Sequence, residues 1–467
     1  MENPETFSNT HDIDVDKLSS KETFMYVLGN IPQTILSGIF LLVYINFFWD
    51  NLQLQQTYFV IGQLIYMVLN ACNDFFLGRF SDKTNVEKWG SRRLIYIKWG
   101  GPLWAILFFL MWLPWSYTNQ IIIFLHFLIT ICAFDMFLTL VIIARMALLP
   151  ELTESLNERN KIQFYNQIMG AVGAIPVIIA LALFENSLQL FQIFTGVMAI
   201  ISAILYFIVG SKLRERPELY KTEKIPGLLK SIREALKSRS FISYTGFAFF
   251  NMINFYIGFS FVFVFLYIMY FDVFTSILFY YLITIIFGWT SYAVYIRLAK
   301  RVEMQKLIIR GELCALAVNI VGFIVVIQPG ADVFIWLFLI LGTLANGFLI
   351  FGFPYLMLVM DEDEIKYGNR REGMYLGMHT FFIKFSESVA AIIATSVLLY
   401  FGFIRDAPQQ SPEALFGIKF LFFVIPAAMM VLALLSVYFY PLKGEYLREV
   451  REKLKEIHEK KSNTYIT

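Results

Sequence analysis

Residues 63–80 read QLIYMVLNACNDFFLGRF, an apolar run broken by Asn70, Asn73 and Asp74. At i, i+3 and i+4, the two amides and the carboxylate share one face of a helix. A carboxylate at membrane depth costs roughly 2.5–3.5 kcal/mol on insertion scales, and a chain that keeps one there uses it to handle ions or protons. Residues 78–93 follow as GRFSDKTNVEKWGSRR, a short cationic loop with an acid at Asp82. A carboxylate-bearing helix face that runs into a basic loop points to a cation-coupled carrier.

The composition agrees that lipid is the solvent. Of 467 residues, 58% are hydrophobic and 16% charged, against about 45–50% and about 25% in soluble domains. The net charge of +2 is segregated into loops, which gives nucleic acid no footing as a partner; the partners expected are a small-molecule substrate and the bilayer. Cys72, Cys132 and Cys314 each stand inside an apolar stretch with no C-x-x-C, and read as buried small hydrophobes. The polar, acidic start MENPETFSNTHDIDVDKLSS lacks the basic and apolar parts of a signal peptide, so the first spanning helix is expected to direct insertion. His11, His126, His379 and His458 are dispersed, and no G-x-S-x-G, H-E-x-x-H or P-loop is present. Neither an enzyme nor a resident cofactor is expected, and no metal beyond a sodium ion as the coupling ion.

Apolar windows of about 20 residues fall near 25–48, 55–79, 94–115, 120–148, 162–184 and 188–210. A second set falls near 241–270, 274–297, 306–328, 332–359, 374–403 and 414–440. The expectation is an all-α membrane protein of twelve transmembrane helices in two six-helix halves. Its parts are a tail at 1–24, a first half at 25–210, a charged central loop at 211–240, a second half at 241–441 and an amphipathic tail at 442–467.

Lys and Arg set the orientation. They crowd the loops after the second, fourth, eighth and tenth helices, the central loop and the last tail, whereas the opposite loops carry only Arg405. Both termini are expected in the cytoplasm, with the plasma membrane as the site and a monomer as the working form. Leu228, Leu229, Ile232 and Leu236, and then Leu447, Val450, Leu454 and Ile457, recur at helical spacing. Two amphipathic helices are expected there, lying on the bilayer surface or against the ends of the bundle.

Lys384 is the second charge at membrane depth and demands an acid or a wet cavity. Glu387, at i+3, is one partner and Asp74 the other. In the second case a bound cation and an ammonium compete for one carboxylate, which is a coupling device. On the fourth helix Thr139 shares a face with Asp135 and offers a hydroxyl to a cation held by Asn70, Asn73 and Asp74. Arg145 reads as snorkelling to the interface or as a gate. Asn30, Gln33, Thr34, Asn166, Gln167, Asn251, Asn254 and Glu387 are expected to line a polar cavity, and Pro32, Pro176 and Pro354 to kink their helices.

At these residues the chain resembles the glycoside–pentoside–hexuronide:cation symporters, the melibiose-permease-like branch of the major facilitator superfamily. Asn73-Asp74, Gly78 and KTNVEKWGSRR look like its ND-x3-G and T-x3-WG+ signature. Residues 147–153, ALLPELT, with Asn157-Glu158-Arg159, are similar to its stretch after helix 4. Asp363-Glu364-Ile365-Lys366 with Arg370-Arg371-Glu372-Gly373 looks like its loop before helix 11, and Lys384 falls on its helix-11 lysine. The resemblance implies the major facilitator fold and symport of a solute with H⁺ or Na⁺. It implies a cation site at Asn70, Asn73, Asp74 and Thr139; Asp82, Arg92, Arg93, Arg145, Arg159, Asp363, Arg370 and Arg371 are expected to gate. The family's second helix-2 acid is Asn70 here, which leaves protonation of Asp74 as an alternative to sodium. Its sugar-binding acids fall on Thr34 and Ile142 and its helix-5 arginine on Gln167. A glycoside is one expected substrate; an amphipathic solute such as a lysophospholipid is the other.

Overall fold

The computed structural model describes residues 18–216, 228–258, 260–271, 273–404, 407 and 409–466. Most of the expected 1–24 tail, the middle of the central loop with the side chains of Leu228 and Leu229, and the side chains of Cys72 and Asp74 lie outside the described residues. Every regular element described is helical. The first part of the chain forms α1 (Ser20–Leu28), α2 (Asn30–Asn46), α3 (Gln56–Asp82), α4 (Val86–Trp89), α5 (Gly101–Met111), α6 (Gln120–Leu152), α7 (Leu156–Asn186) and α8 (Leu188–Lys212). The rest forms α9 (Leu228–Ala235), α10 (Arg239–Gly258), α11 (Phe261–Tyr267), α12 (Val273–Ala299), α13 (Met304–Val326), α14 (Ile335–Ala345), α15 (Gly352–Tyr367), α16 (Glu372–Tyr400), α17 (Pro412–Tyr438) and α18 (Gly444–Ile466).

Nine segments among the described residues are long and apolar enough to cross a bilayer, the longest Asp332–Tyr367 with 36 residues. The twelve expected spans all fall on helix. Several are broken, and the breaks have local causes. The first divides at Gly29, and Pro32 sits in the opening turn of α2, where a missing N–H costs nothing. The tenth passes from α14 through a tight 3₁₀ stretch, Asn346–Phe351, into α15, and Pro354 lies just inside α15. A proline there removes the bond to the carbonyl four residues back and loosens the turn before it. Pro176 does lie inside a helix, α7, as do Pro150 in α6 and Pro426 in α17.

Burial is inverted relative to a soluble protein. Leu399, Ile178 and Ile392 are 73%, 66% and 65% exposed, while Arg93 and Arg159 are 0% exposed. Lipid is the only solvent in which that distribution is favourable. Cys314, also exposed, and the half-buried Cys132 depart from the expectation of buried cysteines; small apolar side chains are as welcome against lipid as in a core.

The chain packs as two units. One comprises Asp14–Ile232 with Asp363–Phe381 and Leu454–Thr467. In it α2 packs on α7, α3 on α6 and α5 on α8, around Trp104, Trp112, Phe47, Phe48 and Phe108. The other comprises Arg233–Glu362 with Phe382–Lys453, where α10 and α13 both pack on α17. Its core holds Ile257, Val326, Ile418 and Leu421. The stretch 363–381, which sequence order puts in the second half, thus belongs by its contacts with the first. In α18, Val450, Leu454 and His458 are buried on one face, so this tail helix lies against protein.

Candidate cation and solute site

Two helices of the first unit carry the polar residues singled out in the opening stretch. Tyr66, one turn before Asn70 on α3, donates its hydroxyl to Asp135 Oδ1 of α6 at 3.2 Å. Asn73 donates to the other carboxylate oxygen at 3.4 Å, and Asn70 donates to the Tyr66 hydroxyl at 3.4 Å. Asp135 is 5% exposed, and Thr139, one turn further along α6, is buried. Asn73 and Tyr66 therefore meet Asp135 at the α3–α6 seam, with Asn70 behind Tyr66, around a carboxylate whose spacing in the sequence marks only a helix face. The acid described here, Asp135, comes from α6. Oxygens of amides, a carboxylate and hydroxyls are what a hard cation binds, and the same carboxylate can take a proton.

Arg145 lies nearly three turns beyond Asp135 and does not snorkel. It is 4% exposed. Its Nη2 donates to Asn30 Oδ1 at 2.9 Å and Gln33 Oε1 at 2.7 Å, and its Nη1 donates to Asn166 Oδ1 at 3.3 Å. The guanidinium also sits 5.4 Å from the Tyr26 ring centroid. Asn30 donates in turn to the Asn166 carbonyl at 2.7 Å. Thr34 beside them bonds its own helix backbone, through the Asn30 carbonyl at 2.9 Å. Three of the expected cavity residues thus converge on the arginine expected at the interface or in a gate, and no carboxylate pairs with it among the described residues. Gln167 points elsewhere and is exposed.

The gating-loop residues form a third cluster, at the Lys/Arg-rich end of the same unit. Arg93 donates Nε to Glu151 Oε1 at 2.6 Å and Nη2 to Asp82 at 3.0 Å and Glu372 at 2.8 Å. Arg92 bonds Glu151 at 3.1 Å and Glu372 at 2.9 Å, and Arg370 bonds Glu372 at 2.5 Å. None of these side chains is more than 2% exposed. Arg371 makes a two-pronged pair with Asp363, at 2.6 and 2.9 Å. Arg159 instead folds back on α6, donating to the Thr153 carbonyl at 2.8 Å and the Pro150 carbonyl at 3.4 Å. Asp82 also accepts from the backbone N–H groups of Gly373 and Met374 at 3.1 and 2.9 Å. Glu151 and Glu372 lie inside the ALLPELT and RREG motifs, and they are the acids of the cluster: Glu151 joins two arginines and Glu372 three.

With this geometry in place, comparison with known proteins becomes specific. The family described as MFS/sugar transport protein matches residues 25–444. The chain belongs to this family. Its members are membrane transporters, not enzymes, and the chain is a multi-pass membrane protein. It is 25% identical over 452 residues to the isoprimeverose transporter of Lactiplantibacillus pentosus, covering 90% of this chain and 88% of that protein. It is 29% identical over 197 residues to transmembrane protein 180 of Gallus gallus, a match that spans 40% of this chain and 38% of that protein. The fold is similar to the crystal structure of the major facilitator transporter FucP in its outward conformation, with a TM-score of 0.61 at 13% identity over 90% and 99% of the two chains.

The sequence motifs of this MFS/sugar transport protein now have physical causes. A Cβ on Gly78 would stand 2.2 Å from the Gly373 carbonyl oxygen, and one on Gly373 would stand 2.5 Å from that of Gly78, so α3 and α16 touch backbone to backbone only because both are glycine. Asn85 caps the one-turn α4, and Gly90, at φ +74°, ends it in the left-handed region. That turn delivers Arg92 and Arg93 to their acids. In the second unit, Lys384 lies half-buried on α16, while Glu387 is exposed and forms no ion pair among the described residues, so the local Lys384–Glu387 pair is not made. Asn251 is drawn to a residue sequence reasoning missed, Glu312 on α13, donating at 2.7 Å. Both polar atoms of the Asn254 amide lack a hydrogen bond. The signal for Glu312 was available: it is an acid inside an apolar span, as Asp74 is.

Proposed function

We propose that this protein is a cation-coupled symporter of a small organic solute of the glycoside class, with H⁺ or Na⁺ as the coupling ion. The observation that carries this reading is the α3–α6 seam, where Asn70, Asn73 and Tyr66 converge on Asp135 inside two apolar spans. Asp74, on the same α3 face by spacing, supplies the second carboxylate, and Thr139 a further oxygen. Loading that face with a cation removes uncompensated negative charge from the membrane interior, which favours the rearrangement that moves solute. The Arg92–Arg93–Glu151–Glu372 cluster holds the loop after α3 to the start of α16, and opening towards the cytoplasm requires those pairs to part. The excess of Lys and Arg on this side supports cytoplasmic termini. The likeness to an isoprimeverose transporter supports a glycoside.

Proteoliposomes test the proposal with labelled isoprimeverose as the first probe, then a glycoside panel. An imposed proton or sodium gradient should drive accumulation above equilibrium. Asp74→Asn should abolish accumulation while leaving equilibrating exchange. Uphill uptake by Asp74→Asn would contradict the assignment.

A further inference from the structure

Glu312 sits on α13, 0% exposed, in the unit that does not contain the α3–α6 seam. Its Oε1 accepts one hydrogen bond, from Asn251 Nδ2 of α10 at 2.7 Å. Its Oε2 is buried with no hydrogen-bond partner among the described residues. No Lys, Arg or His pairs with it among the described residues. Tyr295 of α12 lies beside the neighbouring Gly311, and its hydroxyl is already donated to the Ala345 carbonyl at 3.0 Å. Packing leaves no slack: a Cβ on the adjacent Gly311 would meet Phe348 at 2.4 Å and the Tyr295 hydroxyl at 2.8 Å.

An ionised carboxylate in this place would be a buried charge facing a single neutral donor, which is among the costliest arrangements a protein can hold. Such a setting favours the neutral carboxylic acid over the carboxylate. A structural role would ask for an amide or an apolar side chain, which fill the space without that liability. A carboxyl that is dry now and ionises when wetted is a proton store.

We propose that Glu312 is a second proton-binding site, loaded in the conformation described, which gives up its proton when α10 and α13 separate enough to admit water. The carboxylic acid O–H breaks heterolytically, its proton passes to water, and the carboxylate is hydrated; closure of the helices reverses it. The inference goes beyond the proposed symport, because it holds whether the ion at the α3–α6 seam is H⁺ or Na⁺.

Two readouts test it. The first needs no transport. Buried carboxylic acids react with a hydrophobic carbodiimide only when protonated, so mass spectrometry of the full-length protein should find Glu312 modified, with modification falling as pH rises. Equal modification from about pH 5 to 9 would overturn the proposal. The second is the pH profile of solute uptake in proteoliposomes. Glu312→Gln preserves shape and hydrogen bonding, and should flatten the alkaline limb of the profile at least about tenfold, while Glu312→Asp restores a titrating limb. A Glu312→Gln profile that overlays the parent would return Glu312 to a structural role. Failure of the symport reading looks different: the parent protein would accumulate no solute under any cation gradient, with the carbodiimide result unaffected.

Discussion

Arg145 shows how much one buried residue can say about the cargo. Three of its contacts are neutral amide oxygens, from Asn30, Gln33 and Asn166, and its Nε has no partner. A guanidinium that is desolvated without a counter-anion retains its attraction for one, and its planar fork fits an oxyanion two-pronged. Acidic glycosides should therefore outcompete neutral ones: in competition uptake, phenyl β-glucuronide should inhibit at roughly tenfold lower concentration than phenyl β-glucoside, the weight of ~1.4 kcal/mol. Arg145→Gln should erase that preference, and an unchanged ratio would show that Arg145 only braces its helix. The sequence revealed Asn30, Gln33 and Asn166 as polar interruptions and Arg145 as a charge near a helix end. It concealed that they meet, because their convergence depends on how three helices pack, and periodicity reports only the face within each helix.

At the scale of elements, α18 is more than an amphipathic tail. His458 is buried on its inner face, with Nδ1 bonded to Glu154 and Nε2 3.0 Å from Glu364 and 3.1 Å from Arg370 Nη1. Arg216 lies 3.7 Å from Glu154. Burial alone would lower the affinity of this imidazole for a proton, but its hydrogen bonds to Glu154 and Glu364 outweigh burial and the opposing Arg370 charge, so His458 is raised above its ordinary value. Burial pushes Glu154 up, and the His458 contact with the nearby arginines brings it below the carboxylate range. The sign follows. A raised histidine stabilises docking fully below its unfolded value of about 6.5, and that contribution fades as pH rises through the folded value. The Glu154 contribution is lost only in acid, below the range of interest. Amide exchange in α18 should therefore quicken between neutral and alkaline pH by more than His458→Ala allows, and a His458→Ala helix should lose this pH dependence. If both proteins exchange alike at every pH, the imidazole is not the clasp. Hydrophobic spacing exposed the buried stripe of Val450 and Leu454, but a histidine at position 458 looks solvated until its three charged neighbours, from distant parts of the chain, are seen.

For the whole molecule, the spans were legible because each must satisfy its own backbone in lipid, which leaves long apolar runs that no other constraint explains. The breaks within them, at Gly29 and in the 3₁₀ stretch Asn346–Phe351, were not, since helix interruption in a membrane is a matter of local packing as much as composition. The motif ND-x3-G singled out α3 and also, through Gly78, the close approach to Gly373. It did not identify Asp135 as the acid of the seam, because a family signature on α3 says little about what α6 brings to it. What unites these parts is the claim that solute and cation cross together. The most direct measurement adds solute to one side of proteoliposomes with no ion gradient imposed, while a proton or sodium electrode follows the medium. Symport through the α3–α6 seam predicts that solute running downhill drags the cation with it, and that Asp74→Asn abolishes the ion signal but not solute equilibration. Solute entry without cation movement, or cation movement in the opposite direction, would contradict it.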